Sequence, residues 1–279
     1  MAERDFTLAV DIGNTRIKFG VFECPDSASL QRALPTSAGF LALPVHEEID
    51  WRVITAHFAK WTPRIRRALV AEVHPAGLQR ILADWKESNW PEPTIIKRAA
   101  DLPLRVNVDN PDHVGIDRLL DAVSANLLRR ERQSAVIVDS GTATTINAVS
   151  SQGVFEGGAI LPGLELQARS LHQHTALLPL IDVRSLADHS VAALGRNTRA
   201  ALSSGLWHGQ IGAIRELTAQ FADPNEESPL MLVTGGMGLP LANALGDPFR
   251  FEADLALRGL AYVAHLQAGY KRGSQEFSE

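Results

Sequence analysis

Short apolar runs along this chain end repeatedly in small polar or glycine-containing turns. The first, Leu8-Ala9-Val10, leads into Asp11-Ile12-Gly13-Asn14-Thr15, after which Ile17, Phe19 and Val21 alternate with Lys18 and Gly20. Alternation of period two after a tight turn predicts a β-hairpin with a polar tip. A second hairpin of the same design is predicted where Ala135-Val136-Ile137-Val138 meets Asp139-Ser140-Gly141-Thr142-Ala143-Thr144-Thr145, with Ile146, Ala148 and Val149 on the returning strand. A third apolar run, Met231-Leu232-Val233, ends in Thr234-Gly235-Gly236-Met237-Gly238. The two matching tips imply an internal duplication.

Between these landmarks the pattern predicts strands at 51–54 and 68–73. The second ends at His74-Pro75, before a helix lined by Leu78, Ile81, Leu82 and Trp85. A short strand is expected at Thr94-Ile95-Ile96. Ile116, Leu119, Leu120, Val123 and Leu127 recur at helical spacing, so a helix opens near Gly115 with Asp117 and Arg118 in its first turn, off the apolar stripe. Farther on, 153–163 reads as a strand between glycine turns, while 164–178, 198–221 and 252–268 read as helices. The proline-containing stretch 23–50 reads as loops and short strands, and the polar tail 271–279 as disordered.

Composition adds limits. Of 279 residues, 45% are apolar, enough to give each of two lobes an interior of its own. The expected division is an N-terminal lobe at 1–117 and a C-terminal lobe at 118–270. A net charge of −5 argues against a surface built for nucleic acid or an acidic membrane. The basic clusters Arg64-Ile65-Arg66-Arg67 and Arg129-Arg130-Glu131-Arg132 lack aromatic neighbours for base stacking and read as solvated helix ends. The single cysteine, Cys24, excludes an internal disulfide. The charged start, without an apolar signal core or a membrane-length run, predicts a cytoplasmic protein.

The chemistry concentrates at the turns. Glycine at a hairpin tip removes the Cβ that would hold an anion away, so backbone N–H groups with Asn14 and Thr15 can converge on phosphate oxygens. Asp11 beside such phosphates requires a cation or an ordered water between them. Taken singly, each tip is better explained as ordinary turn chemistry, and it is the matching pair followed by the Gly-Gly turn that points to a nucleotide phosphate. Asp117 is a candidate base for a substrate hydroxyl and Arg118 a clamp for an anion. The competing account makes Asp117 a helix-start carboxylate, with Arg118 solvated or paired to Asp112 or Asp121. His74 reads as a turn residue bonded to backbone, for no partner sits beside it. His172 and His174, two apart, point to different helix faces and do not suggest a shared metal. Ala201, Gly205, Gly209 and Gly212 form a small-residue ridge, suited either to a buried contact within the chain or to a two-fold helix pair.

With Asp-x-Gly-Asn-Thr, Asn-Pro-x-x-x-Gly-x-Asp-Arg, Asp-x-Gly-Thr-Ala-Thr-Thr, the Gly-Gly-Ala-Ile-x-Pro-Gly run and Gly195-Arg196-Asn197-Thr198 in one order, the chain resembles type III pantothenate kinase, the Bvg accessory factor-like family. The resemblance implies an α/β fold of two duplicated actin-like (ribonuclease H-like) lobes, of the sugar-kinase and Hsp70 superfamily, with the active site in the cleft between them. It also implies a homodimer that transfers the γ-phosphate of ATP to pantothenate, the first step of coenzyme A biosynthesis. Magnesium and a monovalent cation, potassium or ammonium, are the implied cofactors.

Carried over by motif, Asp11, Ile12, Gly13, Asn14, Thr15, Arg16, Ile17 and Lys18 would form the first phosphate loop, with Asp11 on magnesium directly or through water. Thr142, Gly235 and Gly236 would contact ATP. Asp117 would be the proton acceptor, and Gly115, Ile116, Asp117, Arg118 and Thr198 would contact pantothenate. Asp139 would bind the monovalent cation. Val108 stands where many members carry tyrosine on the pantothenate side. Asp117, beside Arg118 and a helix N-terminus, is expected to have a lowered pKa. Two other functions fit the same residues: an ATP-binding regulatory protein of the Bvg accessory factor type, or a kinase for another small hydroxy compound.

Overall fold

The computed structural model describes residues 4–24, 33–188, 191–223 and 226–273. The chain forms two compact units, one built from the chain up to Leu128 together with the segment from Leu255, the other from Arg129–Asp254.

In the first unit, β1 (Phe6–Ile12), β2 (Arg16–Glu23), β3 (Ser37–Pro44), β4 (Ile65–Glu72) and β5 (Pro93–Ile96) form a sheet in the order β3-β2-β1-β4-β5. The predicted hairpin is present, with Val10 opposite Phe19 and Asp11 opposite Lys18. β4 runs parallel to β1 and sets Ala71 beside Asp11. Every residue of β1 is buried, because both sheet faces are covered. Leu8, Val10 and Ile12 enter a core with Phe19, Trp51, Phe58, Leu78 and Ile81. By strand alternation Thr7, Ala9 and Asp11 take the opposite face.

Two expectations are corrected here. Residues 51–54 are not a strand but the start of α1 (Trp51–Phe58). Asp50 caps it by accepting a hydrogen bond from the Arg52 N–H at 2.9 Å, and Trp51, Ile54 and Phe58 bury one helical stripe. Four apolar-rich residues do not distinguish the two periods; the exposed Val53 does, since a half-buried strand would turn it inward with Trp51. In the basic cluster at 64–67 only Arg64 ends a helix, the 3-10 turn Thr62–Arg64. The rest runs into β4, where Ile65 is buried and Arg66 pairs with Asp5 at 3.0 Å.

α2 (Pro75–Ala83) follows His74, whose Nδ1 accepts the Gly77 N–H at 2.9 Å, as the turn reading expects. After the two-residue strand β6 (Arg105–Val106) comes α3 (Ile116–Leu128). The last helix, α8 (Leu255–Gly273), packs on α3 within this unit. A Cβ on Gly259 would lie 2.4 Å from the Leu120 carbonyl oxygen, and Ser124 Oγ donates to the Leu255 carbonyl at 2.7 Å. Lobes divided at 117/118 would therefore cut one continuous helix, and the C-terminal helix belongs with the first sheet. Its buried Leu257, Leu260, Ala261 and Ala264 need an apolar surface, which they find against β1, β2 and α3. Residues 271–273 end α8; the remainder of the expected tail lies outside the described residues, as does the 25–32 part of the stretch read as loops.

The second unit contains β7 (Ala135–Ser140), β8 (Ala143–Val149), β9 (Val154–Pro162), β10 (Leu230–Thr234) and β11 (Phe249–Phe251), running β9-β8-β7-β10-β11. An antiparallel three-strand meander continued by two parallel strands is the connectivity of the first sheet again, so the duplication read from the two tips extends to the topology. Its helices are α4 (Leu164–Gln173), α5 (Ser185–Asp188), α6 (Thr198–Phe221) and α7 (Gly238–Leu245). Val136, Val138, Ile146 and Val233 pack with Leu206, Trp207, Ile211 and Leu241.

α4 stops earlier than the expected 178. The chain folds back after it, with His172 Nδ1 bonded to the Leu178 carbonyl at 2.8 Å. On α6, Ala201, Gly205, Gly209 and Gly212 are exposed, and no atom lies within 4 Å of a Cβ built on the three glycines. Among the described residues, nothing packs against the three glycines of this ridge. Among the described residues, no helix is long and apolar enough to cross a membrane.

Candidate active site

The first hairpin tip is tied down by main-chain bonds. Gly13 N–H donates to the Arg16 carbonyl at 2.9 Å, Val45 N–H to Thr15 at 2.8 Å and Val73 N–H to Ile12 at 3.0 Å. Ile12 and Ile17 are fully buried beneath it, so they anchor the tip and present no side chain at its surface. Asn14, Thr15 and Arg16 are exposed above them. Asp11 is buried, and its Oδ2 lies 3.6 Å from Nζ of Lys18, its cross-strand neighbour.

Asp117 sits in the first turn of α3, where its Oδ1 accepts the Arg118 N–H at 2.9 Å. Gly115 starts that turn, its carbonyl accepting from Arg118 N–H at 3.1 Å and Leu119 N–H at 3.4 Å. Ile116 is buried in the core, while Arg118 and Val108 are half-buried. The expected lowering of the Asp117 pKa is overturned. Burial raises it above the usual carboxylate range and the negative charge of Asp11 raises it further. The Arg118 N–H and guanidinium act the other way without prevailing. Desolvation and the Asp11 charge, which arise only in the folded chain, outweigh the sequence neighbour Arg118. A carboxylate with a raised pKa is a stronger base than an ordinary one and so better suited to take a proton from a hydroxyl.

In the second unit Asp139 is half-buried at the end of β7, and the tip beyond it closes through Gly141 N–H to the Ala143 carbonyl at 3.0 Å. Gly163 N–H donates to the Thr142 carbonyl at 3.0 Å. Gly163 and Gly235 are packed onto this tip so closely that neither tolerates a side chain: a Cβ on Gly163 would lie 2.3 Å from the Gly141 carbonyl oxygen, and one on Gly235 2.4 Å from Asp139 Oδ1 and 2.5 Å from the Ser140 carbonyl oxygen. Gly235 also has φ +90°, which favours glycine. The second and third turns are thus one structure, with Gly236 exposed beside it. Thr142 is exposed at the tip.

Thr198 is exposed at the start of α6, which Asn197 caps by accepting the Ala200 N–H at 2.9 Å. It borders a hollow of about 620 Å³ whose lining includes Gln167, Leu171, Leu178, Arg196 and Leu202.

A family model described as type III pantothenate kinase matches residues 7–220, which span both hairpin tips, the Asp117 turn and Thr198. The chain belongs to the type III pantothenate kinase family. This kinase is 32% identical over 274 residues to a type III pantothenate kinase of Gluconobacter oxydans, covering 94% of each chain. It is 28% identical over 257 residues to one of Syntrophotalea carbinolica, covering 91% of this chain and 96% of the relative.

Among solved structures it is similar to a Baf family transcriptional activator from Campylobacter jejuni, with a TM-score of 0.58 at 19% identity over 96% of this chain and 99% of the other. It is also similar to the activator of 2-hydroxyisocaproyl-CoA dehydratase from Clostridium difficile with bound ADPNP, with a TM-score of 0.54 at 10% identity over 98% of each. The kinase shares its fold with these two proteins, and its family makes it a phosphotransferase.

Sequence reasoning did not single out the hollow at the start of α6 in this kinase. Gly163 stood in a quoted motif without a role; its place after a Pro at a strand end was the available signal. Among the described residues of the kinase, no three His, Cys, Asp or Glu side chains are grouped to hold a metal ion. Magnesium is commonly held by one or two carboxylates together with substrate phosphates, and the buried Asp11 oxygens are donors of the right kind for that arrangement.

Proposed function

We propose that this chain phosphorylates pantothenate with ATP, forming 4′-phosphopantothenate, the first step of coenzyme A biosynthesis, with Asp117 as the proton acceptor. The observation that carries the role is the half-buried Asp117 carboxylate, held at the start of α3 with its pKa raised by desolvation and by Asp11. As the hydroxyl oxygen bonds to the γ-phosphorus, the bond from that phosphorus to the bridging oxygen of ADP breaks and the hydroxyl proton passes to Asp117. Such transfers run through a loose transition state that asks for alignment and charge neutralisation more than for a strong base.

Asp11 to Lys18 form the first phosphate loop, with N–H groups and the exposed Asn14 and Thr15 facing the anion. Thr142, Gly235 and Gly236 contact ATP. Ile116, Arg118, Val108 and Thr198 contact the acceptor, Ile116 through its backbone, since its side chain is buried. Asp11 holds magnesium directly or through water, and Asp139 holds potassium or ammonium; these cations neutralise charge on the polyphosphate when bound. Asp139 offers a half-buried carboxylate at a strand end, which suits a hard cation.

The kinase is cytoplasmic and works as a homodimer. The exposed small-residue face of α6, with Leu166, Leu171, Leu177 and Leu194 also exposed in the same unit, supports a second copy as its cover.

One coupled assay tests the reading: ATP turnover with and without pantothenate, in sodium and then in potassium. Turnover that requires pantothenate and appears in potassium is expected. ATP binding without acceptor-dependent turnover would instead favour a regulatory protein, and turnover with other hydroxy compounds alone a different kinase.

A further inference from the structure

We propose that Gly115 is a positioning residue for Asp117, and that the missing side chain at 115 is what lets the carboxylate lie back against the helix start. The proposal rests on the reading of Asp117 as proton acceptor. It replaces the role that family resemblance implies for Gly115, direct contact with the acceptor.

Three observations carry it. A Cβ on Gly115 would stand 2.5 Å from Asp117 Oδ1, well inside contact distance. The next atoms it would meet are Asp117 Cγ at 3.7 Å and Val73 Cγ1 at 3.8 Å, both ordinary contacts. The backbone does not require glycine either, since Gly115 is not among the described glycines with positive φ.

Other crowded glycines differ in kind. Gly163, Gly235 and Gly259 are opposed by main-chain atoms, so side chains there disturb the fold. Among the described glycines, Gly115 is the one crowded closer than 3.0 Å by a carboxylate oxygen alone. An added methyl group meets the free end of a short side chain, which can rotate away. Rotation breaks the bond from Arg118 N–H to Oδ1, at 2.9 Å, and carries the oxygen from the place where the proton is taken. The fold survives and the alignment does not. A displacement of about 1 Å at a reacting group can cost on the order of 10²-fold in rate.

The test uses the full chain. Gly115→Ala is expected to lower kcat for pantothenate phosphorylation about 10- to 100-fold, with KM for ATP and for pantothenate changed less than about twofold. In the Asp117→Asn background the same change is expected to cost nothing further, because both act through one carboxylate. Unchanged kcat, a raised KM for pantothenate at full kcat, or losses that multiply in the double variant would each overturn the proposal. Any melting-temperature loss in Gly115→Ala should vanish in Gly115→Ala/Asp117→Ala compared with Asp117→Ala; a loss that persists would show that something other than the carboxylate is crowded. Asp117→Asn alone separates the two readings. Wild-type turnover in that variant removes Asp117 from the mechanism, whereas a slow Asp117→Asn with a normal Gly115→Ala defeats only the positioning role.

Discussion

Asp11, buried at the end of β1, places its negative charge where it raises the pKa of Asp117 at the start of α3. Lys18 answers that charge from the neighbouring strand, with Nζ 3.6 Å from Asp11 Oδ2. Two carboxylates and one ammonium group therefore share the polar end of the first unit.

Replacing Asp117 with Asn removes the proton acceptor while keeping the shape. Turnover with pantothenate is expected to fall at least ~10²-fold. ATP affinity should remain close to that of the parent chain, since the phosphate loop is untouched. Steady-state kinetics alongside nucleotide titration measures both.

The pH dependence follows from the direction of the Asp117 shift. The base works ionised, so kcat/KM should decline as pH falls through a value above the ordinary 3.8 of an aspartate. Asp11→Asn removes one of the two raising causes and should move that acid limb to lower pH, beside any loss of turnover from the missing cation ligand. The stability sign is opposite to that of an ion-paired carboxylate: with its pKa raised on folding, Asp117 contributes most below the unfolded value, and the contribution is lost as pH rises through the folded one. Asp117→Asn should consequently melt higher than the parent at pH 8, as scanning calorimetry would show.

His265 on α8 is buried, and burial with the nearby Arg67 lowers its pKa to about 4. The folded chain keeps it neutral where the unfolded chain, near 6.5, takes up a proton. Stability from this residue is therefore full above pH 6.5 and declines as pH falls toward 4, with a slope approaching about 1.4 kcal/mol per pH unit. His265→Leu should flatten that part of the profile. Urea midpoints at pH 7 and pH 5 for both chains would reveal the difference.

Gly235 combines φ +90° with main chain and a carboxylate against its Cα. Gly235→Ala should destabilise the chain by about 1–3 kcal/mol, the usual range for a strained backbone position. Gly236→Ala, next to it but open on all sides, should cost far less. Chemical denaturation of the pair provides the comparison.

Local pattern carried much of the fold. Both hairpins, the strand at 230–234 and the helices opening near Gly115 and at Thr198 are each encoded by residues a few positions apart. Failures came where a local pattern was ambiguous or absent. Residues 51–54 suit a strand as a short apolar window and become a helix because Asp50 caps them and Phe58 extends the buried stripe. β11 and α7 were not anticipated, being short and stabilised by packing against β10.

The sequence by itself determined the duplicated turn design, the helix start that carries Asp117, and the family, because turn chemistry and periodicity act between near neighbours. Tertiary structure alone decided that α8 returns to the first sheet, that Asp11 raises the pKa of Asp117, and that Gly115 leaves room for the Asp117 carboxylate. Each depends on burial, field or steric contact, and none of these quantities exists until the chain has brought its segments together.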